Sequence, residues 1–131
     1  MKHEEFEKLV MNMILDGKDE LLNSLREQYL QSQIISREFT GCGFFTTFSS
    51  PDTIGYDSVK GRIDDLNAKI SNTNDEYLFF ILYLEEGKID TLECFTTVAS
   101  WNGEYDNVVI EYCYKGERRF EVNGEEITVK I

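Results

Sequence analysis

The chain has 131 residues, enough for one hydrophobic core and too few for two. Apolar residues make up 41% and charged residues 29%, which excludes a disordered chain. Thirteen Lys and Arg stand against 25 Asp and Glu, and the formal charge of -12 argues against nucleic-acid binding and against an anionic membrane surface.

The first thirty residues carry a helical period. Phe6, Leu9, Val10 and Met13 stand at i, i+3, i+4 and i+7 and predict one apolar stripe. Glu4, Glu5 and Glu7 oppose the positive end of the helix dipole, and Gly17 supplies the stop. A second helix is expected from a cap near Asp19, with Leu22, Leu25 and Tyr29 on one face. The short link between the two predicts a helical hairpin or a sharp bend.

Beyond Gln33 the period becomes that of strands. Ile34 to Phe39 and Phe44 to Phe48 flank Gly41-Cys42-Gly43, and glycines inside such a run predict a bulge or tight bend. Ser49 to Asp57, with Pro51 and Gly55, reads as a loop, followed by a half-buried strand through Leu66, Ala68 and Ile70 and a loop over Ser71 to Asp75. Tyr77 to Leu84 is apolar at every position, which predicts a central strand covered on both faces. Glu86-Gly87 turns the chain into a returning strand from Ile89 to Thr97, and Ser100 to Asn107, with Trp101, reads as a third loop. Val108 to Tyr114, Arg118 to Val122 and Ile127 to Ile131 are the last strands, with Asn123-Gly124 a favoured hairpin turn between the final two. The pattern predicts one α+β domain over 1-131, helical over 1-32 and sheet over 33-131. Its architecture is two N-terminal helices packed on a curved, mostly antiparallel sheet of six or seven strands.

Arg37-Glu38-Phe39-Thr40-Gly41-Cys42-Gly43-Phe44-Phe45-Thr46 resembles an R-E-x-T-G-x-G-F-F-T signature of small, largely uncharacterised bacterial proteins. The likeness extends to the alternating strand Asn67-Ala68-Lys69-Ile70 and the Leu92-Glu93-Cys94-Phe95-Thr96 segment, about the middle half of the chain. The resemblance implies an α+β fold and a bacterial origin, and attaches no activity. The segment from Thr97 to Trp101 departs from that family's Tyr-rich continuation.

Catalytic chemistry finds few groups to use. The single histidine, His3, sits where helix ends fray, so it reads as a solvent-exposed helix-start residue rather than a general base. Three scattered cysteines form no framework and no zinc set, and fit reduced thiols. Cys42, between two glycines, is a candidate reactive thiol, although a structural bend explains it better. Asp64-Asp65, Asp75-Glu76, Glu85-Glu86 and Glu125-Glu126 fall at expected turns or strand ends, where solvated charge is ordinary. Glu93, with Leu92 and Phe95 as neighbours, must be paired if it faces inward, with Arg37 a candidate partner, although an outward-facing polar position explains it somewhat better.

These readings predict a non-enzymatic binding protein with no cofactor and no metal. Arg37, Cys42, Glu93 and Trp101 are its candidate binding residues. The acidity points to a basic protein partner and, in its sharpest form, to an immunity-type inhibitor of a basic bacterial toxin. A small-ligand pocket between sheet and helices is the alternative, and a homodimer joined through apolar strands is a further association. With no signal-like start and no apolar run long enough to span a bilayer, a cytoplasmic location is expected.

Overall fold

The computed structural model describes residues 1–51, 59–71, 76–96 and 105–130. It shows α1 (His3–Ile14), α2 (Glu20–Gln31), β1 (Gln33–Phe39), β2 (Gly43–Ser49), β3 (Gly61–Ile70), β4 (Tyr77–Glu85), β5 (Lys88–Thr96), β6 (Val108–Tyr112), β7 (Glu117–Val122) and β8 (Glu125–Lys130). The strands form one open antiparallel sheet in the order β1-β2-β5-β4-β3-β7-β8, and β6 also pairs with β3. Eight strands replace the expected six or seven because Gly41-Cys42 closes a hairpin instead of bending one long strand. Thr40 N–H donates to the Gly43 carbonyl across it, and Gly41 takes φ +87°, a conformation glycine reaches without strain.

The α1 core face is turned from the expected stripe. Phe6, Val10, Met11 and Ile14 are buried with Glu7, whereas Leu9 is 40% exposed. A carboxylate thus takes a core-facing place among apolar neighbours. In α2, Asp19 caps the first turn by accepting from the backbone N–H groups of Leu21 and Leu22. Leu22, Leu25 and Gln28 face inward. Gln28 receives the Ile89 N–H at 2.7 Å and donates to the Gly87 carbonyl, which pins α2 to the β4–β5 turn.

The strand β4 lies centrally, as its composition predicts, but only one of its faces is covered by helix. Leu78, Phe80, Leu82 and Leu84 are buried with the inward residues of α1 and α2, while Tyr77, Phe79, Ile81 and Tyr83 are half-buried on the opposite face. The ring of Phe6 reaches that of Phe80, and Tyr29 meets Phe48, so both helices occupy the same side of the sheet. Among the described residues the other side carries no helix. Phe44, Phe45 and Phe48 divide accordingly: Phe44 and Phe48 enter the core, and Phe45 points to the helix-free side.

The sheet branches along β3. Residues 66–70 pair with β6 and residues 61–62 with β7. A bulge between Ile63 and Leu66 takes up the change, and it contains Asp64 and Asp65. Asp65 is therefore not a solvated strand-end charge: it is 2% exposed and meets the equally buried Arg118. The two short turns obey their sequences. Asn123 and Gly124 both have positive φ, as do Glu86 and Gly87, which fits the primed turns that match strand twist.

Candidate functional site

Glu7 is the centre of the most connected polar cluster outside the sheet branch. Its helix phase turns the carboxylate onto the β1–β2 hairpin. There Arg37 donates from Nε and Nη2 to its two oxygens, each at 3.0 Å, and Thr46 Oγ1 donates at 2.5 Å. Burial pushes the Glu7 carboxyl up, but the hydrogen bonds from Arg37 and Thr46 and the Arg37 charge outweigh it and hold it below its ordinary value. One turn earlier on α1, His3 Nε2 lies 3.1 Å from Glu7 Oε2, and its Nδ1 lies 2.5 Å from the hydroxyl of Tyr105. Both ring nitrogens thus have a polar partner, a carboxylate on one side and a phenol on the other.

His3 is thus no frayed, solvated residue. Its side chain is 13% exposed, walled by the rings of Phe39, Phe44 and Tyr105, with centroids 4.6–5.6 Å away. The expectation failed because the wall comes from β1, β2 and the segment before β6, all distant in sequence. Chemically, the cluster joins α1 to three parts of the sheet side of the molecule. Burial raises the Tyr105 phenol above its ordinary range.

Arg37 and Glu93 do not pair. The registers Arg37↔Thr46↔Leu92 and Glu38↔Phe45↔Glu93 place them one residue out of phase, so they point to opposite faces of the sheet. Arg37 serves Glu7, and Glu93 stands half-buried on the helix-free face, where Tyr83 donates to it at 2.9 Å. Cys42 lies in the hairpin loop; its carbonyl accepts from Thr96 N–H, and its sulfur lies 3.5 Å from Thr40 Oγ1. Trp101 lies outside the described residues.

The helix-free face is the larger feature. One row across it runs Glu38, Phe45, Glu93 and Ile81 over β1, β2, β5 and β4. The next runs Phe95, Phe79, Asn67 and Glu111 over β5, β4, β3 and β6. The rings of Phe79 and Phe95 stand 5.5 Å apart and that of Tyr77 adjoins them. Carboxylates alternate with apolar side chains along the first row, and the second sets two adjacent phenylalanines beside Asn67 and Glu111. Two shallow clefts, of about 470 and 330 Å³, adjoin on this same face beside Tyr83, Arg62 and Glu121. Between sheet and helices the buried apolar residues of both form one hydrophobic cluster.

Sequence reasoning singled out Arg37 and Glu93 but missed Glu7, His3, Thr46 and Tyr105. Only one signal could have found them: His3 and Glu7 stand at i and i+4, one above the other on a helix that also buries Phe6 and Val10. The chain matches no family model, no curated protein and no solved structure.

Proposed function

We propose that this is a non-enzymatic binding protein whose helix-free sheet face takes a basic protein partner. In its sharper form, the protein is an immunity-type inhibitor of a basic bacterial toxin such as a nuclease. The observation that carries the reading is the gathering of Phe45, Ile81, Phe79 and Phe95 with Glu38, Glu93 and Glu111 in two neighbouring rows on one sheet face. Apolar rings supply contact area, and the carboxylates around them complement the cations of a nucleic-acid-handling protein. The overall charge of -12 extends the same field beyond the patch and accelerates encounter with such a partner.

Capture from the native host at low and then raised salt, followed by reconstitution with the purified partner, tests this. A basic partner is expected, with association slowing about tenfold or more between low and physiological salt. Glu93→Gln combined with Glu38→Gln is expected to slow association further without changing the fold. A partner that is acidic, or whose binding ignores both salt and these substitutions, overturns the reading.

A further inference from the structure

At the end of the sheet, β1 pairs among the described residues only with β2, and six of its seven residues are exposed. The Thr40–Gly43 bond fixes the hydrogen-bonding phase of the hairpin, so the backbone N–H and C=O groups of Arg37 and Phe39 point away from β2. An open edge of this kind is a template for another strand. Large apolar side chains gather at the same edge: Ile35 is 64% exposed, Phe39 63%, and Leu30, just before the strand, 85%.

We propose that β1 is a docking edge at which an extended segment of a basic protein adds as a ninth strand, a mode that rests on the basic-partner reading above. Backbone pairing along Arg37 and Phe39 supplies the contact, and alternate side chains of the segment supply the specificity. Charge selects the occupant. Glu38 points outward from β1 on the aromatic face, and Glu4 of α1 lies near enough to act on the Arg37 charge from the other side. A segment alternating basic and apolar residues sets cations beside one or other of these carboxylates and apolar groups against Ile35 or Phe39. A second copy fits poorly: antiparallel self-pairing centred on Arg37 or Glu38 sets like charges opposite each other, and each copy carries a charge of -12. The row Glu38–Phe45–Glu93–Ile81 starts at this edge, so an added strand continues the proposed partner face.

Two acetylated and amidated peptides of equal charge serve as probes of the full-length chain: four Lys-Val repeats, and four Lys-Pro repeats that cannot donate along alternate positions. At low salt, the Lys-Val peptide is expected to bind and to slow hydrogen exchange at the Arg37 and Phe39 amides about tenfold. The Lys-Pro peptide is expected to leave those amides unchanged. Phe39→Pro, which removes one outward donor from an edge strand, is expected to abolish the protection while circular dichroism stays unchanged. Binding that perturbs Phe45 and Ile81 but not the Arg37 and Phe39 amides overturns the edge and leaves the basic-partner reading standing. Failure of both peptides to bind overturns the edge, while the basic-partner reading is decided separately by the salt series on the captured partner. Protection of these amides without peptide, in a sample that sediments as a dimer, gives the edge to a second copy and also overturns the proposal.

Discussion

Arg118 is 1% exposed and grips Asp65 through two parallel hydrogen bonds of 2.8 Å, at the point where β3 changes partner from β6 to β7. The same guanidinium donates to the carbonyls of Ile14 and Asp16, which the end of α1 leaves without partners of their own. Its face lies against the ring of Tyr112, whose hydroxyl donates to the Met13 carbonyl. Asp65 also receives the Arg119 N–H, and its own carbonyl receives that of Cys113. One buried ion pair therefore ties the helix end to both branches of the sheet.

Breaking that pair from one side leaves a buried charge with no counter-charge. Asp65→Ala is expected to lose about 3–5 kcal/mol of stability in urea denaturation. Asp65→Leu combined with Arg118→Met removes both charges and is expected to lose clearly less than the sum of the single changes, although the Ile14 and Asp16 carbonyls lose their donor. A loss under about 1 kcal/mol for Asp65→Ala would sink this account.

Glu7 predicts an acid-sensitive link between α1 and the β1–β2 hairpin. Its folded-state pKa is lowered from an ordinary value of 4.5, so its contribution is present above that value and disappears as pH falls through the folded pKa. Glu7→Gln is expected to be less stable than the parent by about 1–3 kcal/mol at pH 7, because the Arg37 guanidinium loses its counter-charge. The gap should narrow as pH is lowered below 4.5. Chemical denaturation of both proteins at several pH values between 7 and 3 measures it, and a gap independent of pH would remove Glu7 as its source.

The parts of the fold that were legible in sequence are those governed by local chemistry. Asp19 caps a helix, Asn123-Gly124 and Glu86-Gly87 make tight turns, and the apolar Tyr77–Leu84 run lies in the middle of the sheet. What sequence misplaced is polar and buried by distant partners. Glu7 and Asp65 look like surface acids until Arg37 and Arg118 arrive from strands 30 and 53 residues away. No local period encodes such a meeting, and hydrophobic patterning assigns both carboxylates to solvent. The coverage of β4 was misjudged for a related reason: aromatic and aliphatic side chains suit a half-buried open face as well as a core.

Two glycines of one hairpin are expected to respond very differently to alanine. A Cβ built on Gly43 falls 1.8 Å from the Cys94 carbonyl oxygen, a backbone atom that cannot move aside without parting β2 from β5. Gly41 has open space around it and carries only the strain of its φ of +87°. Gly43→Ala is therefore expected to lose about 3 kcal/mol or more, and Gly41→Ala about 1 kcal/mol. Thermal and urea unfolding of the two variants decides it. Equal losses would mean that strands β2 and β5 can separate locally with little penalty.

The three thiols provide a test of the burial pattern that needs no mutation. Cys94 is 1% exposed in the core, and burial, helped by the nearby Glu93 and Cys42, pushes its thiol far above the usual range. Cys113 is exposed just beyond β6, where partial desolvation, followed by Asp65 and Asp64, raises its thiol less severely. The thiolate is the reacting species, so a raised pKa moves reactivity to higher pH. At pH 8 a disulfide reagent is expected to modify Cys113 in the native protein, more slowly than a free cysteine and faster as the pH rises toward 9. Cys42, partly exposed in the hairpin loop, should be modified in the native state too. Cys94 is expected to react only when the sheet opens, at a rate set by unfolding and accelerated by urea. Mass-spectrometric mapping separates the three sites, and fast native labelling of Cys94 would mean that the layer between β5 and the helices is not closed as described.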